Sequence, residues 1–151
     1  MKIVIGNDHA GPKLKNQLIE YMESLGHEVD DFGIGIGEKI DYPIMGEKVG
    51  RAVAEGKYDC GVLICGTGVG ISIAANKVPG VRAAVCSDVT TARLAKEHNG
   101  ANIIAFGERI VGIETAKDIV NAYLSAVTED GRHADRRAMF AKIEEKYGAK
   151  L

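Results

Sequence analysis

The residues of this chain best suited to chemistry lie between Val62 and Asn76, where Val62-Leu63-Ile64-Cys65 runs into Gly66-Thr67-Gly68-Val69-Gly70. The short apolar run up to Ile64 predicts a strand buried on both faces of a parallel sheet. The three alternating glycines let the backbone turn tightly and bring bare N–H groups close to a ligand. A helix predicted from that turn to about Lys77 adds unpaired donors and the positive end of its dipole, which makes the turn an anion site. Cys65 stands where strand meets turn, and a thiol in that field is expected to have a lowered pKa and to be partly thiolate near neutral pH. One segment would then supply both a base and an oxyanion cradle. A strand cysteine is more often a small buried apolar residue. A core cysteine, however, does not need three alternating glycines after it. Cys60 and Cys86 lack such a turn and are read as structural.

Two other readings of the glycine turn fail on spacing. The dinucleotide fingerprint G-x-G-x-x-G is broken by Ile71, although Asp88 lies at the end of the next predicted strand, and a phosphate-binding P-loop would need Gly-Lys before Ser72. Elsewhere, His98 precedes Asn99 in a loop after a predicted helix, where it is either solvated or an acid or base near neutral pH. Asp8 and His9 are ambiguous singly, and His27 reads as a surface residue. Arg132 and Arg136 are four apart and share a helix face. They are either a solvated basic face or a phosphate clamp, since guanidinium forks suit phosphate oxygens. Arg137 points about 100° round the helix and is the weaker ligand.

The elements that must position these residues alternate along the chain. Lys2 to Asn7 predicts a strand, Asp8 to Gly11 a loop, and Pro12 the start of a helix with Leu14, Leu18, Met22 and Leu25 as its apolar stripe and Gly26 at its end. Glu28 to Phe32 follows as a short strand, and Gly33 to Gly37 as a mobile loop. Asp41 is expected to cap a helix with Pro43 in its first turn and Met45, Val49, Ala52 and Val53 facing inward. Asp59 to Cys65, Val81 to Cys86 and Asn102 to Phe106 predict further strands. Between them Ser87 or Asp88 caps a helix to about Glu97. Helices are expected around Ile113 to Leu124 and from Ala134 to about Tyr147, the latter with Met139 and Ile143 inward. Such alternation implies right-handed crossovers and an open, mostly parallel sheet with helices on both faces. Ligands bind beyond the carboxyl ends of such strands. The loops Asp8-His9, Cys65 to Gly70, Ser87-Asp88 and His98-Asn99 are expected to converge there.

Composition narrows the class. The 151 residues suffice for one domain with a core, 46% are apolar and 26% charged, and the formal net charge is −2, which gives no reason to expect nucleic acid. No apolar run approaches the roughly 20 residues of a membrane helix. The start at Met1-Lys2-Ile3 enters a strand at once, with no room for a signal peptide. The three cysteines, placed in or beside apolar strands, read as reduced thiols in a cytoplasmic protein. Zinc is disfavoured because no Cys-x-x-Cys or His-x-x-x-His pair is present.

Taken together, Asp8-His9-Ala10-Gly11, the run from Cys65 to Asn76, His98-Asn99, Ala105-Phe106-Gly107-Glu108-Arg109-Ile110-Val111-Gly112 and Gly131-Arg132-His133 resemble the type B ribose-5-phosphate isomerases, a family that includes allose- and galactose-6-phosphate isomerases. The resemblance covers essentially the whole chain. It implies a Rossmann-like three-layer α/β/α sandwich with a five-stranded, mainly parallel sheet. It implies Cys65 as the base moving a proton between C1 and C2, and His98 as the acid that opens the furanose ring. Gly66, Thr67, Gly68, Val69 and Gly70 would hold the enediolate oxygens. Asp8, Tyr42 and Asn99 would bind the sugar, and His9, Arg109, Arg132 and Arg136 its phosphate. It further implies a homodimer or larger assembly with the site shared between subunits, and no metal or organic cofactor. One branch replaces the cysteine by serine and uses a glutamate four residues on; Val69 stands there, so this chain looks like the cysteine type. A six-carbon sugar phosphate, with pocket depth set around Ile34 to Tyr42, and a non-catalytic sugar-phosphate-binding module are the alternatives.

Overall fold

The computed structural model describes residues 1–148. Five strands form one sheet: β1 (Lys2–Asn7), β2 (Glu28–Asp31), β3 (Cys60–Cys65), β4 (Ala83–Val85) and β5 (Ile103–Gly107). All pairings are parallel, in the order β2-β1-β3-β5-β4. The helices are α1 (Pro12–Ser24), α2 (Tyr42–Ala54), α3 (Val69–Ala75), α4 (Val89–Glu97), α5 (Ile113–Ser125) and α6 (Arg132–Lys146). Alternate residues of the central strands feed two cores, as the period of a strand requires. Ile3, Ile5, Val62, Ile64, Ile104 and Phe106 pack with α1, α4 and α5. Val4, Leu63, Cys65, Ile103 and Ala105 pack with α2 and α3. The result is the expected three-layer α/β/α sandwich.

The chain runs from β1 to β2 on one side and then crosses to β3 on the other. Strand order therefore reverses between β1 and β3, the position at which an open parallel sheet leaves a crevice beyond its carboxyl ends. The loop after β1 carries Asp8 and His9, and the loop after β3 carries the glycine turn, so these two flank the crevice.

Several expectations need correction. Leu25 is the C-cap of α1 and 44% exposed, because its backbone leaves the helix before its side chain can join the stripe. Asp41 occupies the N-cap of α2 in extended backbone, but its side chain caps nothing. Asp88, not Ser87, caps α4, its carboxylate accepting from the Thr91 amide at 2.7 Å. β4 is shorter than expected, and α3 ends at Ala75. The loop 33–37 is fastened rather than mobile: the buried Asn7 carboxamide accepts from the Ile34 amide at 3.1 Å, and Lys15 donates to the Ile34 carbonyl at 3.2 Å. Met139 and Ile143 are more than half exposed, and His133 alone among the α6 residues is buried.

Candidate functional site

At the end of β3 the chain enters α3 through Gly68, which adopts the left-handed region (φ +83°). A side chain there would be strained, and its Cβ would lie 2.7 Å from the Phe106 backbone. This sharp turn folds the Gly68 N–H back onto the Cys65 sulfur at 3.0 Å. Cys65 is 4% exposed. Gly107, which pairs with Cys65 across the sheet, is as closely constrained, since a Cβ there would sit 2.4 Å from the Gly66 carbonyl oxygen. The segment after it wraps the turn from outside, with the Glu108 and Arg109 amides donating to the Cys65 and Gly66 carbonyls at 3.0 and 3.2 Å.

Charged and aromatic side chains surround this turn. The Arg109 guanidinium lies 3.3 Å from where a Gly66 Cβ would be, and the Tyr42 ring 2.7 Å from that of Gly70. Asp8 is buried and accepts from the Ala10 amide at 2.8 Å through one oxygen. His9 is exposed and lines a cleft with Lys39, Ile40, Asp41 and Ile44. Thr67 Oγ1 accepts from the Val69 amide at 3.3 Å. Asp8, His9, Tyr42, Gly66, Thr67, Gly68, Val69, Gly70, Cys65 and Arg109 thus form one group at the carboxyl end of the sheet.

His98, Asn99, Arg132 and Arg136 form another, and it is elsewhere. His98 caps the carboxyl end of α4, just before Asn102, whose carbonyl accepts from the Gly61 amide at the amino end of β3. Cys65 pairs with Gly107 at the far end of β5, while Ile103 at its near end pairs with Gly61. Four strand steps separate those levels, about 13 Å. The expectation that His98-Asn99 opens at the strand mouths therefore fails. A loop between a crossover helix and the next strand must lie at the amino ends. Among the described residues no hydrogen bond, ion pair or aromatic contact joins the two groups.

The second group has its own order. The His98 and His133 rings stack at 4.1 Å and 5°. Glu129 Oε2 lies 3.8 Å from His98 Nε2 and 3.5 Å from His133 Nε2. Arg137 donates to the His98 carbonyl at 3.3 Å, a bracing role that fits its turn away from the Arg132–Arg136 face. Desolvation, with the charges of His98, Arg132 and Arg136, holds His133 below the usual histidine value against the opposing pull of Glu129. Sequence reading passed over His133 and Glu129 as site residues, although their four-residue spacing was a signal. The two imidazoles and the carboxylate bring their ligand atoms within 4.8 Å of one another. Parallel rings cannot both point a lone pair at one cation, and two arginines stand on the same helix turn, so the set fits a stacked pair of imidazoles beside a carboxylate better than a metal centre.

A ribose/galactose isomerase family profile matches residues 3–140. The chain belongs to the ribose/galactose isomerase family. It is accordingly an enzyme of the isomerase class. Among its relatives, ribose-5-phosphate isomerase B of Escherichia coli is 49% identical over 145 residues, spanning 96% of this chain and 97% of that protein. Galactose-6-phosphate isomerase subunit LacB of Clostridium acetobutylicum is 49% identical over 126 residues, spanning 83% of this chain and 73% of that protein. The solved structure of Clostridium thermocellum ribose-5-phosphate isomerase B superposes with a TM-score of 0.95 at 53% identity, covering 97% of this chain and 99% of that one. No helix among the described residues of this isomerase is long and apolar enough to cross a membrane.

Proposed function

We propose that this isomerase interconverts D-ribose 5-phosphate and D-ribulose 5-phosphate by moving a proton between C1 and C2 through an enediolate. The observation that carries the reading is the Gly68 amide on the Cys65 sulfur, at the end of the central strand and within the glycine turn. Cys65 takes the proton from the carbon next to the carbonyl. That proton is far too weakly acidic for a bare thiolate at pH 7, so the Gly66 to Gly70 amides must stabilise the developing oxyanion, by on the order of 3 kcal/mol per donor. Asp8, Tyr42 and Asn99 hold the sugar, and His98 protonates the ring oxygen to open the furanose. His9, Arg109, Arg132 and Arg136 bind the phosphate, whose remote anchoring fixes the reacting carbons. No metal or organic cofactor is needed for these steps.

Because the group around Cys65 and the group around His98 lie at opposite ends of one sheet, a single chain does not complete this site. A two-fold related copy turned end for end would set His98, Asn99, Arg132 and Arg136 of one chain against Cys65 of the other, giving two sites per homodimer. The exposed apolar face of α6, with Met139, Phe140 and Ile143, supports such an assembly.

The test is transfer of the C2 proton of ribose 5-phosphate to solvent. Wild type should exchange it and form ribulose 5-phosphate, and Cys65→Ala should lose about 10² to 10⁴ in kcat. Near wild-type turnover in that variant rejects Cys65 as the base, and tight binding without exchange in the wild type makes the protein a binding module. The alternative of a six-carbon substrate draws on the 49% identity to the galactose-6-phosphate isomerase subunit, over 126 residues against 145 for ribose-5-phosphate isomerase B. The ratio of kcat/KM for ribose 5-phosphate to that for allose or galactose 6-phosphate decides between them.

A further inference from the structure

We infer that Asn7, backed by Lys15, is a positioning residue that sets the width of the cleft beside His9 and so selects the length of the phosphorylated sugar. This inference rests on the proposed isomerisation. Asn7 ends β1, and its side chain is wholly buried. Its carboxamide nitrogen donates to the Asp8 carbonyl at 2.7 Å and to the Ile34 carbonyl at 3.3 Å, and its oxygen accepts from the Ile34 amide at 3.1 Å. One side chain thereby ties the strand end that carries Asp8 and His9 to the loop after β2. Lys15 of α1, 3% exposed, completes the fastening, its ammonium donating to the Ile34 carbonyl at 3.2 Å and to Asp31 Oδ2 at 2.7 Å. Asp31 uses its other oxygen to accept from the Gly33 amide at 2.8 Å. The fit is tight, since a Cβ on Gly33 would fall 1.9 Å from the Asn7 oxygen.

The fastened loop continues into the wall of the cleft. Lys39, Ile40, Asp41 and Ile44 face His9 across about 590 Å³, and Tyr42 closes against the glycine turn. Lys39 supplies a cationic side chain to that cleft, and the His9 imidazole lies beside it. The span from Cys65 to that end is what a five- or six-carbon chain with a terminal phosphate must match. A buried amide that uses one donor on the strand end before His9 and the other on the loop that leads to Lys39 gives the span a fixed value, whereas a free loop would let it breathe. The buried lysine is costly unless paired, and here its carboxylate partner and its carbonyl both belong to the strand and loop being held.

Asn7→Asp keeps the acceptor for the Ile34 amide but sets a carboxylate oxygen against two carbonyls. Lys15→Met keeps the stem and removes both donors. Each variant should speed hydrogen exchange of the amides from Ile34 to Lys39. KM for ribose 5-phosphate should rise about tenfold, while kcat stays within about threefold. The preference between five- and six-carbon sugar phosphates should shrink by about tenfold, the scale of one methylene in a fitted pocket. The double variant should be less than additive, because both contacts end on Ile34. Faster exchange with KM and the length preference within twofold of wild type overturns the inference, as does unchanged exchange. If Asn7→Asp does not fold, Lys15→Met and Gly33→Ala, which pushes on Asn7 from the loop side, carry the same test. Calorimetric binding of ribose 5-phosphate and galactose 6-phosphate, with Cys65→Ala added to each variant and to its reference, reads the length preference without turnover. Failure of the isomerisation itself, seen as no turnover of any aldose phosphate by wild type, is thus distinguishable from failure of the clamp.

Discussion

Cys60 and Cys86 are enclosed by apolar side chains, and burial pushes both thiols up to about 11. Cys65 differs in having the Gly68 amide on its sulfur and the glycine turn beside it. Thiolate is the nucleophile, so alkylation of the native protein at pH 8 should add one group, at Cys65, and saturating ribose 5-phosphate should slow it. Mass-mapping of the modified peptides checks this, and equal labelling of all three cysteines would remove the distinction. His133 gives a second residue-level outcome. Its folded pKa is held below the ordinary value of about 6.5 by desolvation and by His98, Arg132 and Arg136, with Glu129 opposing. The folded state then binds that proton less tightly than the unfolded chain. Stability from neutral His133 is complete above about pH 6.5 and is lost as pH falls below it. His27 is lowered in the same direction by burial and the N-terminus, so the readout is a difference: His133→Asn should lose less stability between pH 7 and 5 than wild type, measured by urea unfolding.

The β3–α3 turn works only because it and the end of β5 meet without side chains, at Gly68 and Gly107. Gly68→Ala places a Cβ at φ +83° and 2.7 Å from the Phe106 backbone, and Gly107→Ala places one 2.4 Å from the Gly66 oxygen. Each should cost about 1 to 3 kcal/mol in strain and, by displacing the turn amides about an ångström, on the order of 10²-fold in kcat. Urea unfolding and steady-state kinetics measure the two effects separately, and a stable Gly68→Ala with full kcat would show that the turn does not need that shape. This element was legible in the sequence, because alternating glycines after an apolar run have few other uses. So was the α/β alternation and the inward face of α2. What escaped was non-local. The fastening of the 33–37 loop depends on an asparagine 27 residues away, and nothing in Gly33 to Gly37 announces it. His98 departs from expectation for a different reason: its chemistry suggests the strand mouths, while its place in the order helix, loop, strand sends it to the amino ends.

At the scale of the whole molecule, the decisive fact is that α6 has one buried residue, presents Met139, Phe140 and Ile143 to solvent, and carries Arg132 and Arg136 at the end of the sheet opposite Cys65. The inward packing expected of Met139 and Ile143 presumed a partner within the chain. A helix so poorly covered by its own domain needs another surface to cover it. On the proposed isomerase reading, the two separated groups of site residues call for the same arrangement, a second copy running the other way. A mixing experiment tests both at once. Assayed with substrate well below KM, Cys65→Ala is expected to be nearly inactive alone through kcat and Arg132→Ala through a raised KM. Mixed in equal amounts and allowed to exchange subunits, half of the dimers are hybrids. If cysteine and arginine of one site come from different chains, each hybrid has one site with both residues intact and one with neither. Activity should therefore recover to about a quarter of wild type. If each chain built its own site, every site in the hybrid would still lack one residue and no activity would return. Recovery that appears only after subunit exchange, timed by dilution and remixing, ties the regained turnover to the interface rather than to contamination of either variant.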